Sequence, residues 1–131
     1  MLLDLKADKI RILTNDTIKG LNAFDYENNK SIEIYSTALA KSEISYDMFL
    51  GGALSVITLE NPKAETNREL VIFRDSFGSS IAPLLVRDYA KVTLVDIRYI
   101  QADMLSRFPI NWECDVLFLY SALVLNSVTL K

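Results

Sequence analysis

Residues 69–80, ELVIFRDSFGSS, constrain the fold more than any other stretch of this chain. Leu70, Val71, Ile72 and Phe73 form a continuous apolar run, the pattern of a strand buried on both faces. It stops at the polar turn Arg74, Asp75, Ser76, Phe77, Gly78, Ser79 and Ser80. An apolar segment follows, with Ile81, Leu84, Leu85 and Tyr89 at the spacing of one helix face. Strand, tight turn and helix together predict a parallel α/β sheet, whose sites lie outside the carboxyl ends of its strands. Ser76 stands where a serine nucleophile would stand. A purely structural reading is also open, because Ser, Asp and Gly cap helices and fit turns. Ser79 or Ser80 suits an N-cap, and with Ser80 as cap Pro83 falls in the first turn, where a missing N–H costs nothing. Neither GxxxxGK[ST] nor GxGxxG is present, so no nucleotide cofactor is implied.

A chain of 131 residues is the size of a single domain and can bury a core. Half of its residues are hydrophobic, and the mean hydropathy is +0.19. The apolar residues lie in short runs, none near the ~18 that span a bilayer, so no membrane insertion is expected. Surplus apolar surface is expected in an interface. The net charge of −3 supplies no basic stripe, which argues against nucleic acid as a partner. Cys114 is the only cysteine, and beside an apolar run it reads as an inert core thiol. Residues 1–6 are too short and charged for a signal peptide, so the default compartment is the cytoplasm. Histidine is absent altogether. A serine hydrolase built from these residues lacks its usual base, and zinc lacks its commonest nitrogen ligand, so no metal site is expected.

In chain order, residues 18–26 and 31–35 read as two short antiparallel strands joined by a turn over Glu27, Asn28, Asn29 and Lys30. Residues 36–50 are ambiguous, with possible helical turns at 37–41 and 46–50. Gly51 and Gly52 break the chain before a β-branched strand at 54–60. After a helix over 81–89 comes a buried strand at 91–96, then a helix at about 101–108 and a third buried strand at 114–120. The connection lengths predict parallel strands with crossover helices. The expected fold is therefore α/β, a three-layer flavodoxin-like parallel sheet with an antiparallel β-rich N-terminal extension. Asp96 and Asp115 at strand ends read as solvated or capping residues.

With RDSFGSSIAPLL, VTLVDIRYI and DVLFLYSALVLN in view, residues 46–131 resemble the DHHW family of bacterial proteins, which are related to SGNH hydrolases and alginate O-acetyltransferase-like proteins. The resemblance implies Ser76 as the nucleophile position, Asp75 as the residue preceding it in a GDS-like block, and Asn126 as an oxyanion-hole asparagine. It also implies a cell-envelope or secreted whole protein. The naming Asp-His-His-Trp motif is absent, Trp112 lies elsewhere, and Arg74 replaces the glycine of a GDS block. The chain is thus expected to be a partial domain, the C-terminal part of such a protein.

Three functions follow. The chain could be a catalytically incomplete, non-enzymatic module that self-associates as a homodimer, since two crossover helices on one side would leave the other sheet face bare. It could be a serine esterase or O-acetyltransferase acting on cell-surface carbohydrate, its base supplied by a missing segment or partner. It could hold a small anion at the turn through Arg74, Ser76, Gly78, Ser79 and Ser80.

Overall fold

The computed structural model describes residues 10–126. Six strands form one mixed sheet: β1 (Asn22–Asp25), β2 (Lys30–Ile32), β3 (Val56–Glu60), β4 (Glu69–Arg74), β5 (Lys91–Val95) and β6 (Asp115–Leu119), in the order β2-β1-β3-β5-β4-β6. The half built from β5, β4 and β6 is parallel. The half built from β3, β1 and β2 is antiparallel, including the β3–β5 junction. The division into a parallel part and an antiparallel extension is the expected one.

Why β4 forms where it does follows from its neighbours. Its even residues Leu70 and Ile72 pack with Ile57, Leu59, Val92 and Leu94 on one sheet face. Its odd residues Val71 and Phe73 pack with Val56 and Val95 on the other. Both faces are apolar because both are covered. Helix α2 (Gly78–Leu85) brings Ala82, and the residue after it, Val86, onto the first face. The 3₁₀ segment Ala102–Arg107 brings Leu105, and with it Phe108, onto the second. The two connections therefore lie on opposite faces, not on the same side. Strand order explains this: the chain steps from β4 to β5 in one direction and from β5 back past β4 to β6 in the other. Two right-handed crossovers running in opposite directions must cover opposite faces.

Several expectations give way here. The helix over 81–89 begins earlier and ends at Leu85, with Phe77 as its N-cap and no capping side chain. Its buried face is Gly78, Ser79, Ala82 and Pro83, while Ile81 and Leu84 face solvent. Small residues bring the helix close to the sheet, so the large apolar ones turn outward. The helix at 101–108 is a 3₁₀ segment. The run 18–26 is strand only over β1, because Asn15 accepts from Ile18 N–H at 2.8 Å and caps a short helix α1 (Asp16–Lys19). Of residues 31–35, only the first two belong to β2, which starts at Lys30. The largest departure is β6. It was expected to be buried, and it is an edge strand with Val116 47% and Phe118 69% exposed.

The expected turn after β1 is present: Asp25 accepts from Glu27 N–H and Asn28 N–H, and Asn29 takes a φ of 50°. Between β2 and β3 the chain makes 3₁₀ turns at Leu39–Lys41 and Ser45–Met48, near the two turns expected there. A last helix, α3 (Ala122–Asn126), follows β6. No helix among the described residues is long and apolar enough to cross a membrane.

Candidate functional site

Adjacent parallel strands whose onward connections go to opposite faces leave a crevice at their carboxyl ends. Here those strands are β4 and β5, and the residues just beyond them are charged. Phe73 pairs with Val95 in register, so Arg74 and Asp96 come side by side. Both are fully buried, which removes Asp96 from the solvated class. The Arg74 guanidinium lies 3.6 Å from the Asp96 carboxylate and donates through Nη2 to Leu54 C=O at 3.1 Å. Arg98 grips the same carboxylate in a fork, Nε to Oδ1 at 2.9 Å and Nη2 to Oδ2 at 2.7 Å. Asp96 also accepts from Arg98 N–H at 3.1 Å. Burial lowers the Arg74 pKa, with Asp96 opposing the shift. The hydrogen bond to Asp96 raises that of Arg98. Breaking such a buried pair from one side is costly, because the partner charge stays in the interior.

Asp75 follows Arg74 and is also buried. Its Oδ2 accepts from Ser121 N–H at 2.7 Å, and its Oδ1 from Phe77 N–H at 3.1 Å. Desolvation alone would push its pKa up. The bonds from Ser121 and Phe77, with the charge of Arg98, outweigh it and hold the carboxyl below its usual range. Asp75 thus clamps the turn after β4 to the turn after β6, with both oxygens engaged away from Ser76. Tyr120, in the turn after β6, has a buried hydroxyl with no partner among the described residues and a pKa raised by desolvation and by Asp96 and Asp75.

The elbow itself differs from an anion cradle. Arg74 turns inward, so its charge does not reach the turn surface. Gly78 N–H bonds Asp75 C=O and Ser79 N–H bonds Ser76 C=O, both at 3.1 Å. Ser79 is buried with its hydroxyl unpartnered among the described residues. Ser80 donates to Phe77 C=O at 3.1 Å and meets Tyr46 Oη at 2.9 Å, which holds the 3₁₀ strap at residues 45–48 against the elbow. Gly78 is there for packing. A Cβ on it would come within 2.6 Å of Arg74 Cβ, so only glycine lets α2 start above the buried arginine. Ser76, half-buried, keeps both N–H and hydroxyl free of partners among the described residues. Asn126 closes α3, exposed, without a bond to the elbow. Cys114 is half-buried beside the second apolar cluster, and desolvation raises its pKa. No cluster of three or more potential metal ligands occurs among the described residues.

The Arg74–Asp96–Arg98 group was missed in the sequence. The signal was available: two strand-end charges of opposite sign, brought level once the strands are taken as parallel and in register.

A mixed sheet with a parallel half and a strand–helix elbow at its switch point defines the class, an α/β fold of the kind that sites its chemistry at strand carboxyl ends. No family model and no curated protein matches the chain. Solved structures do. Bacillus cereus PatB1 with a sulfonyl adduct is similar at 23% identity and a TM-score of 0.60, over 85% of this chain and 40% of that one. PatB1 without that adduct gives 22% and 0.59, over 85% and 38%. A DHHW family protein from Eubacterium siraeum gives 22% and 0.56, over 77% and 34%. These show a shared fold, and it falls on the family that the sequence resembles. The chain spans about two-fifths of the length of PatB1.

Proposed function

We propose that this chain is a catalytically incomplete SGNH-like domain that keeps the nucleophile position of a serine esterase or O-acetyltransferase. Ser76 carries the reading: its unpartnered hydroxyl and N–H sit at the elbow after a central parallel strand, beside a buried charge cluster. Attack by the hydroxyl on an acyl carbon needs a base to take its proton. Asp75 is occupied by two N–H donors, and the 131 residues contain no histidine. Main-chain N–H groups of the elbow could stabilise the oxyanion, but Gly78 N–H is used inside the turn, which leaves Ser76 N–H, and Asn126 makes no bond to the elbow. A working site therefore needs a base and a second donor from outside these residues. On its own the chain serves as a non-enzymatic module that self-associates, not through a bare sheet face, since both are covered, but along its edge strand β6.

PatB1 is solved as a sulfonyl adduct, and a sulfonyl fluoride supplies the test. Intact mass after incubation should show no adduct, and an activated acetyl ester should hydrolyse at the buffer rate. Added imidazole, as a replacement base, should produce an adduct at Ser76 that Ser76→Ala lacks. Turnover without imidazole that Ser76→Ala abolishes would show that the site is complete. Identical behaviour of both proteins with imidazole would remove Ser76 as the nucleophile position.

A further inference from the structure

Among the described residues the sheet has two edges, and they differ. The outer strand on one side, β2, has three residues and begins with Lys30, a short and charged edge of the kind that resists pairing. The outer strand on the other side, β6, reads DVLFL and has neither lysine nor proline. Its one charge, Asp115, is already neutralised by Arg68 at 2.6 Å and bonded by Tyr89 at 3.0 Å. Exposed apolar side chains lie on this strand and on the helix that follows it in sequence: Val116 and Phe118 on β6, then Leu123 (84%) and Leu125 (60%) on α3.

We propose that β6 is the surface on which a second copy of this chain docks, pairing antiparallel with its own two-fold equivalent. The inference rests on the self-association part of the proposed function and not on the chemistry of Ser76. Register and charge fit this occupant. Centred on Leu117, the pairing sets Val116 opposite Phe118 of the second copy, and the reverse, on one face of a continuous sheet. Both lie on the face of Val71 and Phe73, where Phe118 stacks on Phe73 at 5.0 Å between ring centroids. The two Asp115 residues then lie opposite Leu119 at the two far ends of the pairing, so like charges do not meet. Specific interfaces begin at roughly 1,200 Å² in total, and the exposed side chains of β6 and α3 supply the apolar part of such a contact beside the main-chain pairing. A two-fold pairing also closes, leaving β2 as the outer edge at both ends.

Size exclusion with light scattering on the full chain should give 29.6 kDa, twice 14.8 kDa. Phe118→Lys and Val116→Lys, with unchanged circular dichroism, should each give the mass of one chain. Because Phe118 also packs on Phe73, hydrogen exchange of the unmodified protein provides an independent reading. Amides in Asp115–Leu119 that point away from β4 should gain protection as concentration rises. A one-chain mass at several hundred micromolar would overturn both self-association and this surface. A dimer that survives both folded lysine variants, or whose β6 amides stay unprotected, would leave self-association standing and remove β6 from it.

Discussion

At the scale of single residues, the elbow is shaped by what lies beneath it. Arg74 is the last residue of a buried strand, and its side chain has nowhere to go but under the first turn of α2. That turn can pass over it only at Gly78, where a methyl group would meet Arg74 Cβ at 2.6 Å and Cγ at 3.0 Å. Gly78→Ala should therefore destabilise the protein by about 1–3 kcal/mol, the cost of overpacking a filled interior. Urea denaturation measures it. A gain in stability would mean that α2 can lift off the sheet without penalty. The turn serine that sequence reading treats as a cap, Ser79, is instead buried within the first turn of α2.

Among the elements, β4 and β6 share an apolar composition and have different energetic standing. Ile72 is fully buried at the centre of the larger apolar cluster, so Ile72→Ala should cost about 2–5 kcal/mol. Val116, level with the neighbouring Val71 on the edge strand, is 47% exposed. Val116→Ala should cost less than about 1 kcal/mol in dilute solution. Equal losses in denaturant titrations would show that β6 is covered even at that dilution. Helix α2 teaches the same point in reverse. Its large residues are at helical spacing, but its small ones face the sheet, because closeness of approach matters more there than side-chain size.

For the whole molecule, the parallel half is tied together at its carboxyl end by carboxylates. Asp75 joins the turn after β4 to the turn after β6, and it is held below the ordinary aspartate value of about 3.9. A depressed carboxyl contributes stability that is present above its unfolded pKa and lost as pH falls through its folded one. Asp75→Asn should thus lose about 1–3 kcal/mol at pH 7, and the difference from the unmodified protein should shrink below about pH 4. Thermal or urea unfolding at pH 7 and pH 3 decides it. A constant difference across that range would mean that the charge of Asp75 contributes nothing to the clamp.

The amino-acid sequence by itself determined the local alternation of the chain. Apolar runs marked β3, β4 and β5, Asn28 and Asn29 marked the β1–β2 turn, and RDSFGSS marked the elbow, because these depend on neighbours within a few residues. The positions of Ser76 and Asp75 on that elbow were legible for the same reason. Only the tertiary structure decided that β6 is an edge, since an apolar pentapeptide carries no record of how many strands flank it. It alone decided that the two connections cover opposite faces, which follows from strand order. And it alone joined Arg74, Asp96 and Arg98, which are separated by up to 24 positions in sequence and become neighbours only when β4 and β5 align in parallel register.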